Sequence, residues 1–228
     1  MQELKLDIPA AGERVSGLLL RPDDAKALYL FAHGAGVGMM HPSMETNARG
    51  LAERGIATLR YQFPYMEKGG GRPDPPRIAH ATVRAAAASV GEVASDLPLF
   101  AGGRSYGGRM TSQAQALDPL PGVRGLAFLG FPMHPAGAPS IERADHLSQV
   151  HVPMLFLSGD RDALAEVGLL KSVVASLGDR ATLHLVEHGD HGLRVPVKSG
   201  RATTEAQAEA LDAMRDWMAR QIGCLTPP

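Results

Sequence analysis

The sequence predicts an α/β protein with a mostly parallel central sheet and helices on both faces. Three observations predict it. Short apolar runs recur along the 228-residue chain, too apolar to leave one face in water. Segments of helical periodicity lie between them. Glycines and short polar turns mark the junctions. The length suits one domain spanning residues 1–228.

Each element follows in order. "SGLLLR" reads as a strand, and "ALYLFAHG" is a buried strand ending in glycine. "SMETNARGLAERG" is helical and stops at Gly55, a residue suited to a helix C-terminus. "IATLRYQF" is the next strand. Glu67 to Arg77, "EKGGGRPDPPR", is a Gly/Pro-rich loop whose basic residues read as solvated. The alanine-rich "RIAHATVRAAAASVGEV" is a helix. "LPLFAGG" then "SYGGRMTSQAQAL" reads as strand then helix, and "VRGLAFLGFP" as strand. "VPMLFLSGD", "LAEVGLLKSVVASLG" and "ATLHLVEHG" continue as strand, helix, strand. The last helix, "TEAQAEALDAMRDWMARQI", spaces Leu211, Met214, Trp217 and Met218 along one face, and "CLTPP" follows as a frayed end.

Composition excludes several classes. The net charge is −1, and no basic stripe carries interleaved aromatics, so a nucleic-acid partner is not expected. The single cysteine, Cys224, cannot form a disulfide within one chain, which fits a reducing compartment. The opening "MQELKLDIPAAGERV" is charged and lacks the apolar core of a leader. No apolar run approaches the roughly 20 residues that span a bilayer. A cytoplasmic protein with no membrane partner is expected. The oligomeric state is left open.

The chemistry gathers at predicted strand ends, where parallel sheets place their sites. Gly103-Arg104-Ser105-Tyr106-Gly107 fits G-x-S-x-G between a strand and a helix. Glycines flanking the serine relieve crowding on a sharp turn. A serine hydroxyl needs a base to become nucleophilic. Two later turns supply partners: Asp160 and Asp162 in "SGDRDAL", His188 and His191 in "VEHGDHGL". Asp162 is favoured as the acid, with Asp160 holding its turn. His191, deeper in its loop, is favoured as the base. A metal reading of "HGDH" lacks a cysteine and regularly spaced further ligands. The early loop "FAHGAGVGMMHP" supplies the other half of an oxyanion hole. Tyr106 N–H is one donor; Ala35 N–H is the second, with Gly36 as the alternative. No Lys-Ser/Thr follows these glycines, which argues against a nucleotide cradle. His33, Met39, Tyr65, Met133 and His134 are candidate pocket walls. Methionines at such positions are often core filler.

With these parts in this order, the chain resembles the α/β-hydrolase superfamily. It is most similar to the dienelactone-hydrolase-like branch that includes the testis-expressed protein 30 type and a chromatin-complex regulatory subunit. The carrying stretches are "HGAG", "RYQFPYMEKGGGRPDPP", "GGRSYGGRM", "LGFPMHPAG", "HLSQVHVPMLFLSGDRDAL" and "HGDHGL". The resemblance implies an α/β-hydrolase fold with Ser105 as nucleophile, Asp162 as acid and His191 as base. Dienelactone hydrolases proper carry cysteine where Ser105 stands, so their substrate does not transfer. The insertion "FPMHPAGAPSIERADHLSQVH" is too short for a large helical lid, so minimal or no lid is expected. The expected function is a serine hydrolase, a carboxylesterase or thioesterase on small acyl substrates, with no cofactor. A non-catalytic interaction protein and an acyltransferase using the same triad are the alternatives.

Overall fold

A computed structural model describes residues 1–223. Residues 224–228, with Cys224 and the end read above as frayed, lie outside the described residues. Eight strands form one sheet: β1 (Gln2–Ala10), β2 (Glu13–Arg21), β3 (Ala27–Ala32), β4 (Ile56–Tyr61), β5 (Leu99–Arg104), β6 (Val123–Leu129), β7 (Met154–Gly159) and β8 (Ala181–Val186). Their spatial order is β1-β2-β4-β3-β5-β6-β7-β8. β1 and β2 form an antiparallel hairpin, and β2 also runs antiparallel to β4. The other five pairings are parallel. The expected architecture is therefore present, with one strand the sequence reading did not include. β1 is an edge strand with five exposed positions near its start, so its charged residues face water where a buried run was sought.

Among the described residues, six α-helices lie between or after the strands: α1 (Pro42–Ala52), α2 (Pro64–Glu67), α3 (Pro76–Val93), α4 (Tyr106–Leu117), α5 (Val167–Ser176) and α6 (Thr203–Gly223). Alternate residues of the strands divide the core between two faces. Leu28, Leu30, Leu59, Ala101, Leu126, Phe128 and Phe156 pack with buried residues of α3, α4 and α5. Tyr29, Phe31, Phe100, Ala127, Leu155 and Leu157 pack on the other face with α1 and α6. There Trp217 meets Phe100 edge-on, with ring centroids 5.7 Å apart. The four residues read on one face of α6 are all buried in this cluster.

The insertion after β6 forms no lid. It carries one 3-10 helix, Glu142–Gln149, and buries Met133, Ala144, Leu147 and Val150 against the sheet. Arg60 is buried on β4 and donates to Met39 O, and Glu67 accepts from Ser16 N and Oγ.

Candidate active site

Ser105 links β5 to α4 with φ 51° and ψ −117°, a left-handed backbone that a serine adopts only under constraint. The constraint is close packing. A Cβ at Gly107 would stand 2.4 Å from His33 O and 2.6 Å from Ala32 O. One at Gly103 would stand 2.5 Å from Ala32 O. The two glycines of the motif let the turn press onto the end of β3. The first N–H groups of α4 have no partner within the helix and point out at the serine.

The loops after β7 and β8 bring the other two groups. They meet where Gly159 touches Gly189; a Cβ on Gly159 would lie 2.0 Å from Gly189 O. Arg161 N–H donates to Gly189 O across the same junction. His191 Nε2 lies 2.8 Å from Ser105 Oγ, and His191 Nδ1 lies 2.8 Å from Asp162 Oδ2. The Asp162 side chain is fully enclosed, whereas His191 keeps 22% exposure. Asp162 Oδ1 accepts from Leu164 N at 2.8 Å, so this aspartate makes the Asx turn that the sequence reading gave to Asp160. The buried Asp160 Oδ1 has no hydrogen-bond partner. His188 lies on the rim beside Glu187, 3.6 Å away.

Asp190 was missed by the sequence reading. Its Oδ1 accepts from Gly192 N and Arg194 N, its Oδ2 from Arg194 Nε, and its own N–H donates to Arg194 O. These bonds clasp the loop that carries His191. The available signal was an Asp two residues before glycine, the chemistry of an Asx turn.

The loop that follows β3 is held from below. His33 Nε2 accepts from Phe63 N at 3.0 Å, which leaves the Nδ1 proton to donate to Gly34 O. Burial pushes His33 down to about 4, so it is neutral near pH 7. Ala35 and Gly36 follow on an exposed turn, Gly36 with φ 71°. Gly34 itself lies over the serine: a Cβ there would meet Ser105 Cβ at 3.7 Å.

The other wall residues named from sequence lie beneath the surface. Met39, Tyr65 and Met133 are buried, and Tyr65 packs with Phe63 and Tyr106 in an aromatic group. His134 Nε2 accepts from Glu166 N, and its Nδ1 faces Pro135 O. The open cleft at His191 has a volume of about 170 Å³. Its walls include the polar His41, Ser43, Asn47, Arg104, Arg194 and Gln207 beside the apolar Leu129 and Leu193. Sequence reading did not single out the polar ones because they come from four separate segments. Among the described residues, no group of three or more His, Cys, Asp or Glu is disposed to hold a metal ion. No described helix is long and apolar enough to cross a membrane.

Comparison with known proteins agrees with the architecture. A dienelactone hydrolase from Anabaena variabilis superposes with a TM-score of 0.77 at 20% identity, covering 96% of this chain and 97% of that one. An α/β serine hydrolase without a lid from Xanthomonas campestris gives 0.71 at 18% identity, covering 95% of each chain. Est1E from Butyrivibrio proteoclasticus gives 0.72 at 15% identity, covering 96% of this chain and 99% of that one. At such identities these likenesses speak for the fold. Residues 25–219 match the family described as "Alpha/beta hydrolase domain". The chain belongs to the α/β-hydrolase domain family.

Proposed function

We propose that this chain is a serine hydrolase acting on ester-type bonds of small acyl substrates. The observation that carries the proposal is the continuous hydrogen-bonded series from Ser105 Oγ through His191 to the enclosed Asp162. Ser105 Oγ attacks the acyl carbonyl as its proton passes to His191 Nε2. Asp162 keeps the other imidazole proton on Nδ1 and stabilises the imidazolium. Tyr106 N–H and the N–H of Ala35, with Gly36 as its alternative, receive the developing oxyanion. One such donor is worth ~3 kcal/mol to the transition state. His191 then protonates the leaving group, and water releases the acyl group by the reverse transfers. The cycle needs neither a metal nor an organic cofactor.

Within the family, the motifs "RYQFPYMEKG" and "FPMHP" support a reading in the dienelactone-hydrolase-like branch, near the testis-expressed protein 30 type. Residues 1–228 are taken as one domain working in the cytoplasm. The bound ferulic acid known for Est1E and the name of the Anabaena variabilis protein are consistent with ester chemistry on this scaffold.

The test is intact-mass analysis after incubation with a fluorophosphonate, wild type beside Ser105→Ala. A single adduct on the wild type and none on the variant is expected. Folded wild-type protein that takes no label overturns the proposal.

A further inference from the structure

Two side chains at the end of β4 grip one residue of the loop that follows β3. Met39 N donates to Gln62 Oε1 at 2.8 Å, and Met39 O accepts from Arg60 Nη1 at 3.1 Å. Arg60 lies on β4 and Gln62 follows its last residue. Gln62 N donates in turn to Ser16 O on β2 at 2.8 Å, so the grip is anchored in the sheet. Gln62 also packs against Gly38, where an added Cβ would stand 3.0 Å from Nε2. At the start of the loop, Phe63 N donates to His33 Nε2 at 3.0 Å. The loop is therefore tied to the end of β4 both before and after its exposed turn.

That turn carries the candidate oxyanion donors. Ala35 and Gly36 are exposed, and the bond that closes the turn, Val37 N to Gly34 O, is long at 3.4 Å. So weak a closure leaves the direction of the Ala35 and Gly36 N–H groups to the ties outside it. The turn rests on the serine, since a Cβ at Gly34 would meet Ser105 Cβ at 3.7 Å. A shift at Met39 is thus passed to the groups that face Ser105.

Arg60 is an expensive way to hold a carbonyl. It is 2% exposed, and its Nε has no hydrogen-bond partner. Burial lowers its pKa, and Glu45, the charge that most offsets this, is bonded to Arg49. An apolar side chain of similar volume is often as stable as a buried charge, or more so. The position would accept one. Ile56, four residues earlier and on the same face of β4, belongs to the apolar cluster under α1 and α6. What an apolar residue could not supply is the donor to Met39 O. Neither Arg60 nor Gln62 lines the cleft at His191, so neither is placed to touch substrate there.

We propose that Arg60 and Gln62 are positioning residues of the oxyanion hole, holding Met39 so that the turn at Ala35 and Gly36 aims its N–H donor beside Ser105. The proposal rests on the serine-hydrolase reading and adds the side chains that set the geometry of one donor.

Hydrolysis of p-nitrophenyl acetate tests it, with rates expressed per serine that a fluorophosphonate titrates to completion. In Arg60→Met, kcat and kcat/KM are expected to fall together by about 10- to 100-fold, with KM within about twofold, because a misaimed oxyanion donor is lost only in the transition state. The urea midpoint of that variant is expected at or above the wild-type value. Gln62→Met should show the same split and serves if Arg60→Met does not fold. Arg60→Lys keeps a cationic donor and should regain part of the rate. The double variant Arg60→Met, Gln62→Met should be no slower than about the slower single variant, since both act through Met39. Folded single variants with wild-type kcat per titrated serine overturn the proposal and leave the hydrolase standing, whatever their stability. A raised KM with kcat kept overturns it as well. A double variant slowed by the product of the single effects overturns the shared grip. Wild-type protein that neither hydrolyses the ester nor takes the label fails at the earlier step: the hydrolase reading falls, and the positioning role with it.

Discussion

At the scale of single residues, the three proposed catalytic groups divide labour by their surroundings. Asp162 is enclosed, accepts from Leu164 N with one oxygen and meets His191 with the other. An asparagine there keeps the first acceptor and turns an NH₂ group toward His191 Nδ1. We therefore expect Asp162→Asn to fold normally and to lose turnover by about 10⁴-fold, through the wrong imidazole tautomer. Ester kinetics beside Asp160→Asn check this, and loss in the Asp160 variant alone reverses the assignment. These acidic and basic candidates were legible because each follows an apolar strand in the right order. Arg104 and Asp190 were not, because their roles depend on what faces them across a turn or cleft. His33 carries a pH prediction. In the unfolded chain it titrates near 6.5, while in the fold burial holds it down to about 4. Between these values the unfolded state binds the extra proton, so stability is full above pH 6.5 and falls as pH drops toward 4. Across the whole window His33 contributes about 3 kcal/mol of this loss. Half-buried His146, also held down to about 4, acts in the same direction. Urea unfolding at pH 7 and pH 5 measures the drop, and NMR of the His33 ring should show it still neutral at pH 5. A flat profile, or a protonated His33 at pH 5, refutes the account.

Elements were legible where periodicity alone decides them, and less so where a partner decides them. Strands β3 to β7 are buried throughout or nearly so, and their sequences show it. β1 escaped because it is stabilised by pairing along its whole length with β2, not by an apolar run. The start of α5 shifted to Val167 because Glu166 caps it, accepting from Gly168 N and Leu169 N, a position where Ser, Thr, Asp or Asn is the usual signal. The turn from β5 into α4 yields a paired prediction. Gly107→Ala drives a methyl into the backbone oxygens of Ala32 and His33 at the end of β3, which cannot move without disturbing the centre of the sheet. A destabilisation at or above ~3 kcal/mol is expected, with loss of fluorophosphonate labelling. Gly91→Ala, by contrast, places its methyl in open space on the exposed face of α3 and should stabilise by about 0.5–1 kcal/mol. Urea titration measures both. A Gly107 variant as stable and as reactive as wild type contradicts the packing explanation of the serine's backbone.

At the scale of the whole molecule, both cores rest on one sheet. Adjacent residues of β3, Leu28 and Tyr29, belong to opposite clusters, as do Phe100 and Ala101 on β5 and Leu155 and Phe156 on β7. Removing either helical layer therefore exposes strands that the other layer needs. The proposed site depends on both layers as well, since Ser105 starts α4 on one face while the cleft at His191 takes Ser43 of α1 and Gln207 of α6 from the other. This coupling is the physical content of the single-domain reading, and the lone tryptophan tests it. Trp217 is buried in the α6 cluster, so its fluorescence reports that face. Far-UV circular dichroism reports α3, α4 and α5 together with the sheet. We expect the two signals to change at the same urea concentration, the signature of one cooperative unit. Transitions that separate, with tryptophan fluorescence changing before most helical signal is lost, would show that α6 leaves a sheet still supported from its other face. Labelling of Ser105 across the same titration would then show whether the proposed site survives on that remaining layer or requires both.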